Sequence, residues 1–159
     1  MGKKKEKIKQ IKTWEHAYVN HIAWIRHEEG VQMNLADMVI DNSIILGEDL
    51  TNATLHNCMF RNCTFIGTMT EVDMDKCVFK NCKMNVVFDH CILTSIDLGK
   101  SNNIDEKTTF RNCNMGNANL NSKVIKAANF ENCFNLDGLI NELSSLIEKL
   151  KKGHNTKEV

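Results

Sequence analysis

The stretch Leu50-Thr-Asn-Ala-Thr-Leu55-His-Asn-Cys-Met-Phe60-Arg-Asn-Cys-Thr-Phe65 decides the fold of this chain. A bulky apolar residue returns every five positions, and the same beat runs upstream through Leu35, Ile40 and Ile45. Two residues before each stands a small or compact one, such as Ala53, Cys58 or Cys63. A period of five fits neither a helix, at about 3.6, nor a flat strand, at about 2. It fits a chain that turns a corner every five residues and regains the same side after about twenty, each turn burying its apolar side by stacking on the next.

Downstream the beat continues with two slips of one residue. Phe65 is followed by Met69, Met74, Phe79 and Met84, and Met84 by Phe88, Leu93 and Leu98. Residues 99–108 are two too long and lack good core candidates, so a missing rung is expected near Asn103. The ladder restarts at Phe110, Met115, Leu120, Ile125 and Phe130. Numbering the sides predicts four stacks: Leu35/Leu55/Met74/Leu93/Met115, Ile40/Phe60/Phe79/Leu98/Leu120, Ile45/Phe65/Met84/gap/Ile125 and Leu50/Met69/Phe88/Phe110/Phe130. The seven cysteines then fall into three columns: Cys58/Cys77, Cys63/Cys82 and Cys91/Cys113/Cys133. Zinc sites favour Cys and His two to four residues apart, and here the spacings are 5, 14, 5, 9, 22 and 20. The cysteines read as core filler. Corners are marked by asparagine two residues after the central one, at Asn42, Asn52, Asn57, Asn62, Asn81, Asn112, Asn117 and Asn132. The chain has no proline, which suits coils that donate backbone N–H groups to their neighbours.

The flanks return to helical period. Residues 1–30 form a basic segment with an amphipathic helix through Ile8, Ile11, Trp14, Tyr18, Ile22 and Ile25, stopped near Gly30. Residues 31–135 are the ladder, 136–153 a second amphipathic helix and 154–159 a tail. In the second helix Leu136, Leu139, Leu143, Leu146 and Leu150 keep heptad spacing, with Ile140 and Ile147 widening the stripe. It serves as a cap over the last coil, a homodimer seam, or both. Lysines and arginines number 20 and acids 20, so net charge names no partner. No apolar run approaches a membrane span, and the opening residues lack the apolar core of a signal peptide, so a cytoplasmic protein with reduced thiols and no membrane partner is expected.

These residues resemble the pentapeptide-repeat family, whose pattern is Ala-(Asp/Asn)-Leu-x-x. Ala53-Thr-Leu55, Ala118-Asn-Leu120 and Ala128-Asn-Phe130 match it closely, and cysteine replaces alanine in most other rungs. The resemblance covers about two thirds of the chain. It implies an all-β solenoid: a right-handed quadrilateral parallel β-helix of about five coils, with N-terminal and C-terminal α-helices. At about 4.8 Å per rung the rod would be roughly 24 Å long. The resemblance also implies a non-enzymatic protein that binds DNA gyrase or topoisomerase by mimicking duplex DNA, dimerises through its C-terminal helix, and engages the enzyme with a projecting loop. The 99–109 loop occupies the corresponding place.

Charge departs from that mimicry. Residues 30–135 hold 12 acids and 9 lysines and arginines. Duplex DNA carries one charge per about 1.7 Å, so a matching rod would need roughly 14 net negative charges. Local clusters at Asp37/Asp41/Glu48/Asp49 and Glu71/Asp73/Asp75 are candidate partner contacts or ordinary solvated faces. Outward apolar positions flanking the central residue include Ile44, with Val39, Met59 and Val78 stacked on one side and Leu46 and Ile66 on the next. Such a patch marks an interface unless the first helix folds over it. His16, His21 and His27 share no helix face and read as surface or capping residues. No catalytic constellation, cofactor loop or metal set stands out. The expected partner is a protein, namely a nucleic-acid enzyme or a nuclease complex of bacterial defence. The alternative is a scaffold without inhibitory action. Direct nucleic-acid binding, weighed only for the basic N-terminus, is the lesser expectation.

Overall fold

The structure, a computed structural model, describes residues 13–100 and 102–155. The expectations for residues 1–12 and 156–159 lie outside the described residues. Helix α1 (Trp14–Ile25) leads into short strands β1 (Asn34–Ala36), β2 (Val39–Asp41) and β3 (Ile44–Leu46), then a 3-10 turn at Gly47–Leu50. Next come β4 (Thr54–His56), β5 (Met59–Arg61), β6 (Thr64–Thr70), β7 (Val78–Lys80) and β8 (Lys83–Asp89). Strands β9 (Asp97–Lys100), β10 (Asn103–Ile104) and β11 (Thr109–Arg111), helix α2 (Ser122–Ala127), β12 (Asn129–Glu131) and helix α3 (Asp137–Asn155) complete the chain.

All strand pairs are parallel, and each strand pairs with one roughly a coil away in sequence. Leu35 lies against Leu55, Ile40 against Phe60 and Phe60 against Phe79. Isolated bridges carry the first column on through Asp73, Ile92, Asn114 and Phe134. The result is a stacked parallel solenoid whose interior holds the expected central residues. Phe60, Phe65, Phe79, Phe88 and Phe110 are fully buried. Phe60 and Phe79 stack with centroids 5.3 Å apart, and Phe88 and Phe110 at 5.0 Å.

All eight corner asparagines have positive φ, between 51° and 61° except Asn132 at 50°. Left-handed backbone crowds the Cβ of most residues, and asparagine offsets this with local hydrogen bonds. Glu71, Lys76, His90 and Ser95 hold the same conformation without that chemistry.

The structure corrects the ladder in four places. Where the spacing falls to four, at Phe65–Met69 and Met84–Phe88, no corner forms. An even spacing keeps both residues on one face of an uninterrupted strand, so the third and fourth sides merge into the seven-residue strands β6 and β8. The rung expected to be missing near Asn103 exists: β10 sets Ile104 on Met84, and Ile104 is buried. Residues 102–109 therefore do not project as a loop. They run Leu98, Ile104, Phe110 inside the stack with one extra residue per rung, and Asn102 and Thr108 are also buried. Ile125 is no strand rung, because α2 takes that place and buries Val124 instead; Asn121 caps it by accepting from Val124 N at 3.0 Å. Leu50 lies in the 3-10 turn rather than a strand. This turn presses so closely on β6 that a Cβ at Gly47 would meet the Thr68 carbonyl carbon at 2.6 Å.

Asn102 and Thr108 explain why residues so unlike cysteine can share its position. Cys77 Sγ donates to Leu55 O at 2.9 Å, Cys82 Sγ to Phe60 O at 3.3 Å and Cys113 Sγ to Phe88 O at 3.3 Å. Asn102 Nδ2 donates to Phe79 O at 2.8 Å, and Thr108 Oγ1 to Met84 O at 2.9 Å. Each reaches the carbonyl of a central residue one coil earlier. The neighbouring Cys58 thiol and burial push the Cys77 thiol far up, and Cys63 and burial do the same at Cys82. These thiols stay protonated and able to donate.

Helix α1 closes the N-terminal end. Trp14 is buried with its ring edge-on to Phe60, centroids 6.2 Å apart. Tyr18 Oη donates to Asp49 Oδ2 at 2.7 Å. His21 is fully buried, contrary to the surface role expected for it. Met33 N donates to His21 Nδ1 at 2.9 Å, and His21 Nε2 lies 3.0 Å from Thr51 O. Because Nδ1 accepts, the ring is the neutral Nε2–H tautomer and donates to Thr51.

Candidate functional site

The interior is filled by side chains, and among the described residues no buried side-chain N or O lacks a partner. What the molecule can offer lies on its outer faces. Outward positions on β2, β3 and β6 include four exposed apolar residues. Val39 is 54% exposed, Ile44 72%, Leu46 45% and Ile66 40%. Val39, Met59 and Val78 stand in register across β2, β5 and β7, and Met59 and Val78 are half-buried. Leu46 stands over Ile66 across β3 and β6. Helix α1 leaves Val39, Ile44, Leu46 and Ile66 exposed; its buried Trp14 packs on the core and its buried His21 bonds Met33 and Thr51.

The acidic candidates do not converge. Asp37 accepts from Asn57 Nδ2 at 2.6 Å, and Asp41 is held by Arg61 Nη2 at 2.7 Å and Asn62 Nδ2 at 3.1 Å. Glu48 Oε1 accepts from Thr68 N at 2.9 Å, its carboxylate filling the space above Gly67. Asp49 takes the Tyr18 hydroxyl, and burial together with that bond pushes the phenol pKa up. Asp73 binds His56 Nε2 at 2.9 Å, a bond that raises the imidazole pKa. Asp75 accepts from Thr94 Oγ1 at 2.5 Å. Of the seven, Glu71 alone makes no side-chain hydrogen bond or ion pair among the described residues, and it sits at a corner. Asp37, Asp73 and Asp75 flank the first column, Asp41 the second, and Glu48 and Asp49 the 3-10 turn. These carboxylates tie one coil to the next more than they present a field.

Helix α3 leaves the stack. Leu136, just before it, packs on the core, and α3 lies beside α2. Ile140 at 56%, Leu143, Ile147 and Leu150 at 75% are exposed along one stripe, while Leu146 is half-buried. The Leu139 side chain lies outside the described residues. The helix runs to Asn155, two residues beyond the expected boundary.

Sequence reasoning missed the outward charges that follow the central residue on β5, β7 and β9. Asp41, Arg61, Lys80 and Lys100 stand in register on successive strands. A groove of about 350 Å³ there is lined by Asp41, Arg61, Asn62, Lys80 and Asn81. The signal was present as basic residues 19 and 20 apart, but only the register shows them adjacent.

No family model matches the chain, and no curated protein matches its sequence. Similar solved structures include full-length QnrB1, a plasmid-mediated fluoroquinolone resistance protein, at 12% identity over 74% of this chain and 99% of that one, with a TM-score of 0.25. A trypsin-treated form of QnrB1 is similar at 15% identity over 77% of this chain and 98% of that one, with a TM-score of 0.18. A likeness this slight carries no argument about binding.

Proposed function

We propose that the chain is a non-enzymatic binding protein. In this reading it is a right-handed quadrilateral coil of about five turns that pairs with a second copy through α3. It occupies a protein partner that processes nucleic acid: a gyrase, another topoisomerase or a guided nuclease complex. The partner class comes from the pentapeptide-repeat resemblance.

The observation that supports binding is the exposed apolar face of Val39, Ile44, Leu46 and Ile66 on a rod whose interior is filled. Exposed patches of this kind serve as interfaces in soluble proteins. The contact is therefore apolar at its centre, with acids such as Asp37 and Glu71 at its margins. Duplex mimicry by charge plays the smaller part, because most carboxylates are already bonded to neighbours.

The test is titration of purified protein into gyrase supercoiling and guided-nuclease cleavage assays. Inhibition at stoichiometric amounts is expected, and Leu46→Lys with Ile66→Lys should abolish it while the fold persists. If no such enzyme responds, the scaffold reading takes its place: a rod that presents surfaces without blocking anything.

A further inference from the structure

The outward column at the corner between β5–β7–β9 and the following strands stacks like charges, whereas another outward column alternates them. Asp89 stands on Arg111, which stands on Glu131, and the Arg111 guanidinium holds the Asp89 carboxyl below its usual range. Here Arg61 stands on Lys80, and Lys80 on Lys100. Like charges directly opposite on neighbouring strands destabilise a sheet. The fold does not require them, since Val39, Met59 and Val78 fill the neighbouring outward column without charge.

Local acids relieve the two ends of the column but not its middle. Asp41 neutralises Arg61 at 2.7 Å, and Asp97 lies 3.5 Å from Lys100. Lys80 forms no ion pair among the described residues. Neither does Lys83, which opens β8 just across the corner. Both are exposed. Beyond Lys100 the ridge continues into α2, where Asn121 Nδ2 donates to Gly99 O at 3.4 Å and exposed Lys123 follows. The groove beside the column is lined by Arg61 and Lys80 together with the corner amides of Asn62 and Asn81, and by Asp41 at its Arg61 end.

We propose that this ridge binds the phosphate backbone of a nucleic acid without regard to sequence. Arginine, lysine and asparagine side chains are among those that contact phosphate oxygens. Their rungs repeat at about 4.8 Å, so the cations form a straight line suited to a regular polyanion. No aromatic ring lines the groove, so bases are not stacked and composition is not read. An acidic protein would need apolar anchors at the centre of its contact, and the groove residues supply none. The ridge borders the apolar face, running beside the Val39, Met59 and Val78 column with Lys83 in the column of Ile44, but its binding is read without any partner enzyme, so either proposal can fail alone.

The experiment measures anisotropy of a labelled random-sequence duplex with the full chain, between about 50 and 200 mM salt. Three to four neutralised phosphates predict a slope of log K against log salt of about −3. Lys80→Glu with Lys83→Glu should lower affinity at least tenfold and flatten the slope by about 2. Lys80→Gln with Lys83→Gln should flatten it similarly, and circular dichroism checks both folds. Replacing Lys3, Lys4 and Lys5 by Gln should leave the slope nearly unchanged. The proposal is overturned if the duplex does not bind at the lowest salt, if the Lys80/Lys83 variants bind as wild type, if only the terminal variant loses binding, or if polyglutamate competes as well as the duplex.

Discussion

Replacing His21 tests how the N-terminal helix is held. The ring bridges α1 to the first coil by accepting from Met33 N at 2.9 Å and donating to Thr51 O at 3.0 Å. It also stacks on Trp24, centroids 5.4 Å apart. His21→Phe keeps volume and stacking but leaves a main-chain N–H and a C=O without these bonds. Each unpaired buried group costs about 1–3 kcal/mol, so the variant should lose about 2–5 kcal/mol of docking free energy. The two tryptophans, Trp14 and Trp24, both lie in α1, so their fluorescence during urea titration reports undocking directly.

The same geometry sets a pH response. Burial lowers the His21 pKa below its usual value of 6.5, and protonation would place a hydrogen on Nδ1 facing the Met33 N–H. The unfolded chain then binds the proton more readily, so this contribution is full above about pH 6.5 and is lost as pH falls below it. Asp49, near α1, opposes the shift only in part. His56 has the opposite sign: its bond to Asp73 raises its pKa, so its contribution is full below about 6.5 and fades as pH rises through the raised value. The difference between wild type and His21→Phe isolates His21. It should shrink between about pH 7.5 and 5. A His21→Phe protein whose undocking matches wild type at every pH would refute the latch.

Phe79→Ala empties the stack where the ring packs on both Phe60 and Phe65 and should cost about 3–5 kcal/mol in urea denaturation, whereas exposed Val39→Ala should stay within about 0.5 kcal/mol. Asn102→Ala orphans Cys82 N, Phe79 O and Leu98 O; a loss of about 2–4 kcal/mol is expected, with hydrogen exchange rising in β7 and β10. Lys76→Asn relieves a left-handed lysine at φ 59° and should raise stability by about 0.5–1 kcal/mol in the same titration. Leu143→Asp charges the exposed α3 stripe and should halve the mass measured by light scattering; a monomeric wild type ends the dimer reading.

The five-residue beat made the solenoid legible because it reports side-chain direction, and side-chain direction fixes which residues stack. The columns beginning at Leu35 and Ile40 follow from it, as do the cysteine stacks. It failed where chain length and hydrophobicity disagreed. Residues 99–109 carry a buried asparagine and a buried threonine, which read as loop in any hydropathy pattern, yet their donors are what the neighbouring coil needs. The four-residue slips looked like irregularities, although their even count is what keeps two inward side chains on one strand. His21 was misread because helix periodicity shows only a face, while its partners lie 12 and 30 residues away.

The surface was harder to read than the core for a related reason. An inward position is constrained by volume and by one carbonyl, so its occupant can be read from residue type alone. Cysteine, asparagine and threonine converge there because each is compact and carries a hydrogen-bond donor. An outward position is constrained only by its neighbours one coil away, which sequence order places 19 to 22 residues distant. The acidic clusters looked like a field because they were adjacent in sequence; across rungs most are bonded to an amide, a hydroxyl or a cation. The cations of Arg61, Lys80 and Lys100 looked scattered and stand in one line. In a solenoid, then, charge should be summed down columns before it is summed along the chain, and it is the column with an unrelieved sum that calls for a ligand.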